Sequence, residues 1–157
     1  ANEVVSVDIS KQALEMAKAN AKLNEFHGKH TTLAVDAFRG LEELINKGKS
    51  FDIVVIDPPS FAKRKTEVET AKKQYARLAK LGAQLTRKGG TLILASCSSR
   101  VHAEEFFEIN ENAFVSNRVR YDIIDKTYHD IDHPISFPEG AYLTTKVIFY
   151  LFILFYL

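Results

Sequence analysis

The residues of this chain that have the most chemistry to offer each follow a short apolar run. They are Asp8, Asp36, Asp57 and Cys97, the one cysteine in the sequence. A carboxylate accepts hydrogen bonds from sugar hydroxyls or amino groups, and a thiolate is a strong nucleophile. Taken alone, an aspartate often begins a helix or occupies a turn, and a free cysteine often packs as a small apolar residue. The common placement of the four residues favours a functional explanation.

The apolar runs alternate with amphipathic stretches, which predicts alternating strands and helices. We expect strands over residues 4–7, 31–35, 51–56, 91–95, 120–124 and 143–149, and helices over 11–23, 41–46, 68–85 and 103–110. Ser10 is expected to cap the first helix, and the unbroken apolar stretch 53–56 is expected to be buried on both faces. Lys88-Gly89-Gly90 is expected to turn the chain into the fourth strand. The alternation predicts an α/β fold with a parallel sheet and helices on both faces.

Ligands of open α/β sheets bind beyond the carboxyl ends of the strands, where Asp8 and Asp36 are expected to lie. The two oxygens of Asp8 match the two vicinal hydroxyls of a ribose, and Asp36 can accept from the amino group of an adenine. With their neighbours Ile9 and Ala37, these residues form a predicted nucleoside clamp. The clamp does not identify which nucleoside cofactor is bound.

The segment Asp57-Pro58-Pro59-Ser60-Phe61 is the more specific signal. Two consecutive prolines fix φ and donate no backbone hydrogen bonds, so they end the strand and hold a rigid loop. Phe61 offers a flat surface on which a base can stack. The alternative is a plain turn that ends a strand.

Positive charge is concentrated just after this loop. Residues 61–90 carry nine lysines and arginines against two glutamates, a net charge of +7 in a chain whose total is +1. Lys63, Arg64 and Lys65 lie closest to the loop and are the predicted contacts to nucleic-acid phosphates. The later basic residues fit an ordinary solvated helix face equally well.

Composition excludes several classes of site. A single cysteine rules out an internal disulfide and a cysteine-based zinc site, and it fits a reducing, cytoplasmic setting. The five histidines show no metal-binding spacing, so no metal is predicted. The apolar run over residues 147–157 falls short of the roughly 20 residues of a membrane helix, so no membrane span is predicted. We expect a partial catalytic domain over residues 1–149 and an atypical apolar tail over 150–157.

Several motifs together resemble the successive motifs of class I methyltransferases. They are Val4-Val5-Ser6-Val7-Asp8, the turn at Asp36, Asp57-Pro58-Pro59 and Lys88-Gly89-Gly90. A narrower set resembles the ribosomal RNA cytosine-C5 methyltransferases of the RlmI type: Asp57 to Ala62, Ser96-Cys97-Ser98-Ser99, His133-Pro134 and Phe137 to Leu143. The resemblance implies a Rossmann-like sheet, mostly parallel, with an antiparallel C-terminal strand. It also implies that the first strand, its glycine-rich loop and an RNA-binding PUA domain lie upstream of Ala1.

The resemblance further implies S-adenosylmethionine as cofactor, contacted by the clamp residues Asp8, Ile9, Asp36 and Ala37 and by Asp57. It implies that Cys97 adds to C6 of a cytosine as the nucleophile, while Asp57 holds the ring at N3 and the exocyclic amine. The implied partner is RNA, ribosomal by resemblance, and a homodimer is left open. The predicted substrate contacts are Pro58, Pro59, Phe61, Lys63, Arg64 and Lys65.

Two rival interpretations stay open. The proline-proline motif also occurs in methyltransferases that act on amino nitrogens or a guanine ring nitrogen, and uracil shares the thiolate chemistry of cytosine. Phe61 after the prolines and the presence of Cys97 argue against a nitrogen target. The second rival is an inactive domain that only binds RNA or dimerises, favoured if the upstream sequence has no glycine-rich turn.

Overall fold

A computed structural model of the 157-residue chain describes residues 1–128 and 146–152. The chain divides into two compact units, Ala1–Gly48 and Lys49–Leu157. The motif formed by His133-Pro134 and Phe137 to Leu143 lies outside the described residues.

The first unit alternates two strands with two helices. Its elements are β1 (Glu3–Asp8), α1 (Lys11–Lys22), β2 (Lys29–Ala34) and α2 (Ala37–Asn46). The strands pair in parallel, with Asp8 opposite Ala34 at the carboxyl end. Ser10 caps α1 as predicted, because its Oγ accepts the Ala13 N–H at 3.2 Å. A Cβ on Gly40 would lie 2.5 Å from Val7, so α2 approaches β1 closely at a residue with no side chain.

The second unit is a four-stranded mixed sheet with two helices. Its elements are β3 (Phe51–Ile56), a 3-10 turn (Lys65–Glu67), α3 (Val68–Leu85), β4 (Thr86–Ser96), α4 (Ala103–Ser116), β5 (Tyr121–Thr127) and β6 (Lys146–Phe152). The strand order is β3-β4-β6-β5. Strands β3 and β4 are parallel, and β6 runs antiparallel to β4 and to β5. The antiparallel C-terminal strand is therefore present, although β6 begins later than predicted and continues past residue 149.

Helix α3 packs on the sheet through a stripe of buried residues at helical spacing. The stripe comprises Ala71, Tyr75, Leu78, Ala79, Gly82 and Leu85. A Cβ on Gly82 would lie 2.8 Å from Leu92 and 2.9 Å from Ile56, so the glycine lets the helix backbone approach β3 and β4. Helix α3 also packs against α4, where Lys72 of α3 forms an ion pair with Glu105 of α4 at 2.6 Å. Lys72 also pairs with Glu69 of its own helix at 2.7 Å. Hydrogen bonds to these two carboxylates raise the pKa of Lys72.

Two sequence-based expectations for the second unit are wrong. Strand β3 is buried on one face only: Val54 and Ile56 face α3 and are 8% exposed, whereas Ile53 and Val55 are 63% and 62% exposed. Alternate strand residues point to opposite faces, so a continuous apolar run cannot reveal that one face is uncovered. Lys88-Gly89-Gly90 lies within β4 and not before it. The chain bulges there, with Gly89 at φ +71°, a value that favours glycine.

Candidate active site

The carboxyl ends of β3 and β4 bring Asp57 and Cys97 to the same edge of the sheet. The two strands are neighbours, parallel and in register through Ile56 and Leu94. Asp57 and Pro58 directly follow β3, and Cys97 directly follows β4. The Cys97 thiol donates to the Pro58 carbonyl with Sγ 3.9 Å from the oxygen, and both Asp57 and Cys97 are exposed. An exposed thiol and an exposed carboxylate thus share one rim of the second unit.

Residues 57–64, the proline loop, are anchored to α3 by one aromatic contact. The ring of Phe61 meets the ring of Tyr75 edge-on, with centroids 5.1 Å apart, and Ala62 beside it is 2% exposed. Phe61 itself is half-buried and Pro59 is exposed. Phe61 therefore presents only part of its ring to a ligand, because another part packs on Tyr75.

The basic segment of the proline loop is held by its backbone while its side chains remain free to reach solvent. The Glu67 carboxylate accepts the N–H groups of Lys63 and Arg64 at 2.8 and 2.9 Å. The side chains of Lys63, Arg64 and Lys65 are all exposed. This arrangement presents cationic groups beside the rim that carries Asp57.

Arg100 is a basic residue of this region that the sequence did not single out. It lies in residues 97–102, the cysteine loop, and its Nε donates to the Lys63 carbonyl at 3.1 Å. It therefore links the cysteine loop to the proline loop and adds a further exposed cation there. Nothing in the sequence places Arg100 near Lys63, since the two are 37 residues apart.

A buried hydroxyl network lies beneath the two loops. The Ser96 hydroxyl donates to Tyr75 Oη at 2.9 Å and accepts the Ser98 N–H at 3.2 Å. Ser96 and Ser98 have no exposed surface, and Tyr75 is 2% exposed. Burial raises the pKa of the Tyr75 hydroxyl, while hydrogen bonds to Ser96, the Phe61 backbone and Ser98 act in the opposite direction. The sequence signal for Tyr75 was its place in the buried stripe of α3, where a tyrosine hydroxyl needs a partner.

The residues of the predicted nucleoside clamp lie together at the carboxyl end of the β1–β2 pair, within the first unit. Asp8 ends β1 and is exposed, and its Oδ1 accepts the Ser10 N–H at 2.7 Å. Ile9 beside it is 75% exposed. Asp36 follows β2 by one residue and caps α2, because its Oδ1 accepts the N–H groups of Phe38 and Arg39 at 3.0 and 3.3 Å.

One backbone N–H at the start of α2, that of Ala37, is not satisfied by the Asp36 cap. The first N–H groups of a helix have no partners within the helix. Asp36 satisfies those of Phe38 and Arg39, whereas the Ala37 N–H has no acceptor within residues 1–128 and 146–152. Asp8 and Asp36 belong to one compact unit, and Asp57 and Cys97 belong to the other.

Within the described parts of the chain, no group of three or more histidine, cysteine or acidic side chains is arranged to hold a metal ion. Over the same residues, no helix combines the length and apolar character that crossing a bilayer requires.

Sequence comparison decides the family. The sequence model of the family described as Conserved hypothetical protein 95 matches residues 1–112. The chain belongs to this family. The matched residues include Asp8 and Asp36 in the first unit and Asp57 and Cys97 in the second. The match ends within α4.

Curated proteins similar to this member of the Conserved hypothetical protein 95 family carry methyltransferase names. A Deinococcus radiodurans protein named ribosomal RNA large subunit methyltransferase is 40% identical over 144 residues, 91% of this chain and 35% of that protein. An Aeromonas salmonicida protein named ribosomal RNA large subunit methyltransferase I is 37% identical over 151 residues, 94% of this chain and 38% of that protein. The chain spans little more than a third of these relatives' length. The resemblance inferred from the motifs is confirmed.

Solved structures confirm the predicted fold class of this family member. SMU.776, crystallised as a complex with SAH, superposes with a TM-score of 0.81 at 23% identity, covering 96% of this chain and 39% of that chain. A methyltransferase homologue from Pyrococcus horikoshii superposes with a TM-score of 0.66 at 15% identity, covering 96% and 53%. The chain therefore has the α/β, Rossmann-like methyltransferase fold that the motifs implied.

Proposed function

We propose that the chain is the catalytic part of an S-adenosylmethionine-dependent methyltransferase that methylates C5 of a cytosine in large-subunit ribosomal RNA. The observation that carries the proposal is the exposed Cys97 thiol, 3.9 Å from the carbonyl of Pro58 in the loop that begins at Asp57. A methyltransferase that acts on a nitrogen has no need of a thiol at this rim. The names of the relatives, ribosomal RNA large subunit methyltransferase, support the substrate class.

The thiol answers a specific chemical difficulty. C5 of cytosine is a poor nucleophile, and addition of a thiolate at C6 makes C5 electron-rich. After the methyl group is on C5, a base removes the C5 proton, the electron pair re-forms the C5–C6 double bond, and Cys97 leaves as the thiolate. S-adenosylmethionine supplies the methyl group, and the other steps depend on how the chain holds the thiol and the base.

Asp57 is the residue proposed to hold the cytosine ring. Its exposed carboxylate shares the rim with Cys97, and a carboxylate suits the exocyclic amine and a protonated N3. Contacts that strengthen as charge develops on the ring lower the barrier for thiolate addition. Pro58, Pro59 and Phe61 shape the same loop, and a target within a helical RNA would have to be flipped out to reach it.

The first unit fits the nucleoside part of the cofactor. Asp8 uses Oδ1 for the Ser10 amide and retains acceptor capacity for ribose hydroxyls. The Ala37 N–H supplies the donor, and Asp36 the acceptor, that the Watson–Crick edge of an adenine requires. Exposed Ile9 adds an apolar surface beside Asp8. SAH in the similar structure SMU.776 supports the same cofactor class.

RNA is the proposed partner, held through phosphates. Lys63, Arg64 and Lys65 are exposed beside the rim, and Arg100 adds a fourth cation on the cysteine loop. Such contacts give affinity that does not depend on base sequence, so they complement recognition of the flipped base by the rim. A ribosomal RNA substrate is consistent with the proposed cytoplasmic location.

The test traps the covalent step. The full-length protein is incubated with S-adenosylmethionine and ribosomal RNA that carries 5-fluorocytosine, and a protein–RNA adduct is sought on a denaturing gel. Fluorine at C5 cannot leave as the proton does, so a thiolate mechanism accumulates the adduct. We expect a radiolabelled adduct with the parent and none with Cys97→Ala. Ser99→Ala, which changes a neighbouring hydroxyl, serves as the matched control and should form the adduct.

Three outcomes would overturn the proposal in different ways. Methyl transfer to RNA without an adduct would move the target to a nitrogen or to a non-covalent mechanism. Retention of the adduct in Cys97→Ala would remove Cys97 as the nucleophile. Absence of both transfer and adduct, with RNA still bound, would favour the inactive RNA-binding domain.

A further inference from the structure

Tyr75 connects the two loops that form the proposed catalytic rim. It lies on α3, is 2% exposed, and its hydroxyl accepts the Ser96 hydroxyl at 2.9 Å immediately before the cysteine loop. Its ring meets Phe61 of the proline loop edge-on at 5.1 Å and Phe106 of α4 at 5.2 Å. One side chain therefore contacts Phe61 within the proline loop and Ser96, the residue that precedes the cysteine loop.

The backbone on both sides of Cys97 depends on this contact. Ser96 precedes Cys97 and bonds to the tyrosine, and the N–H of Ser98 after it donates to the same Ser96 oxygen at 3.2 Å. Cys97 itself is exposed, so its position is set by these buried neighbours. A side chain within two hydrogen bonds of both flanking residues is well placed to fix the direction of the thiol.

The links made by Arg100 and by Tyr75 differ in strength. Arg100 Nε bonds to the Lys63 carbonyl at 3.1 Å, but this bond is exposed and water can replace it. The Tyr75–Ser96 bond is buried, and loss of either hydroxyl leaves the other without this partner in a dry site. The buried link is therefore the one expected to hold the geometry.

We propose that Tyr75 is a positioning residue for the proposed methyl transfer, because its hydroxyl joins the cysteine loop to the proline loop and fixes the approach of Cys97 to the base. The inference rests on the proposed function for its catalytic consequence but not for its structural one. Tyr75 does not touch the reacting atoms in this assignment. The Tyr75 hydroxyl is neutral at the pH of the reaction, so it brings no second negative charge beside a thiolate.

The structural part is tested by amide hydrogen exchange on the full-length protein. Tyr75→Phe keeps the ring and its contacts with Phe61 and Phe106 while removing the hydroxyl. We expect exchange to accelerate together in peptides covering residues 57–64 and 97–102, because the hydroxyl that is removed bonds both to Ser96, before the cysteine loop, and to the Phe61 backbone in the proline loop. Tyr121→Phe, a tyrosine on β5, is the matched control and should leave both peptides unchanged. Acceleration in one loop only, or in neither, would overturn the inference without any bearing on the reaction.

The catalytic part is tested by separating kcat from KM. Misplacing a reacting group by a fraction of an ångström lowers the rate of the chemical step more than binding. For Tyr75→Phe we expect kcat and the rate of 5-fluorocytosine adduct formation to fall by about tenfold to a hundredfold, with KM for RNA within about twofold of the parent. A loss confined to KM would contradict positioning. An unchanged kcat would also contradict it.

A second variant guards against simple misfolding. Ser96→Ala removes the other partner of the same hydrogen bond and also the acceptor of the Ser98 N–H, so the double variant with Tyr75→Phe should lose little more than Ser96→Ala alone. Additive losses would show that the two hydroxyls act separately and would overturn the inference. If the parent forms no adduct at all, the proposed function fails, while the exchange experiment still decides whether Tyr75 joins the loops.

Discussion

The thiol of Cys97 donates to the carbonyl oxygen of Pro58, with Sγ 3.9 Å from that oxygen. Only the protonated thiol can make this bond, because a carbonyl oxygen has no proton to give to a thiolate. The bond would therefore have to break for Cys97 to act as the proposed nucleophile. The contact shows that the ends of β3 and β4 lie within reach of a single side chain.

Replacing the sulfur tests its role directly. Cys97→Ser should fold like the parent, because the side chain is exposed, and its melting temperature should stay within about 2 °C. Methyl transfer to RNA should fall below detection, since a serine hydroxyl at neutral pH is a far weaker nucleophile than a thiolate. Transfer of a radiolabelled methyl group is the measurement. Unchanged transfer by the folded variant would end the nucleophile assignment.

Asp36 serves as a helix cap and is also proposed to meet the adenine, and two variants separate these roles. Asp36→Ala removes the acceptor for Phe38 and Arg39 and should cost about 1 kcal/mol in the free energy of unfolding. Asp36→Ser keeps a capping oxygen and should restore most of this stability. Its shorter side chain does not extend to a nucleobase, so both variants should bind S-adenosylhomocysteine more weakly by calorimetry. Parent-like affinity in Asp36→Ser would leave capping as the residue's one role.

The basic segment of the proline loop should control the salt dependence of RNA binding. Affinity for RNA falls as salt rises, so a plot of log affinity against log salt has a negative slope. Changing Lys63, Arg64 and Lys65 to glutamine should make this slope shallower by about 0.7 to 0.9 for each RNA phosphate that is no longer neutralised. The matched control changes three other exposed lysines, Lys73, Lys80 and Lys88, to glutamine. Filter binding across a salt series measures both. Equal slopes in the two triple variants would show that the segment contributes to RNA binding no more than other exposed lysines do.

Tyr150 predicts an alkaline limit to stability. Its hydroxyl is buried, has no hydrogen-bond partner in the described part of the chain, and has its pKa raised above the ordinary value of 10.0 by burial first and then by the charges of Glu111 and Tyr121. The folded chain therefore keeps this proton where the unfolded chain loses it. The contribution of Tyr150 is full below about pH 10 and falls by about 1.4 kcal/mol for each further pH unit.

Urea unfolding at pH 8 and pH 11 checks this dependence. Tyr150→Phe should be at least as stable as the parent at pH 8, since a buried unpaired hydroxyl is removed, and it should lose about 1.4 kcal/mol less between the two pH values. Tyr128→Phe, at an exposed tyrosine, should behave like the parent. A parent-like loss in Tyr150→Phe would assign the alkaline limit to other groups.

The features that the sequence predicted correctly are those that depend on residues close together in the chain. Helix α3 and strand β3 were predicted to the residue, because a long amphipathic period and a proline-ended apolar run are local signals. Placing Asp57 and Cys97 at the ends of neighbouring strands also succeeded, because chain order predicts neighbouring parallel strands. Asp36 was left as either a turn residue or a ligand contact, and its role as the cap of α2 was not predicted, because the helix was expected to begin only at residue 41.

The contacts that the sequence could not supply are long-range and set by packing. Tyr75 looks like one more position of an apolar helix stripe, and only the fold places its hydroxyl on Ser96. Arg100 looks like a surface residue until the fold brings it to Lys63. The uncovered face of β3 was missed for the opposite reason, because its residues have the composition of a buried strand.

The exposed apolar face of β3 has a consequence for the aggregation of the purified chain. Within the described residues, β3 pairs with a neighbour on one side only, and Ile53 and Val55 leave its outer face apolar. An edge strand of this kind offers unpaired backbone amide and carbonyl groups beside aliphatic side chains, to which a strand of another chain can pair. The 157-residue chain alone should aggregate as its concentration rises, and Val55→Lys, which places a charge on the exposed face of β3, should reduce this aggregation.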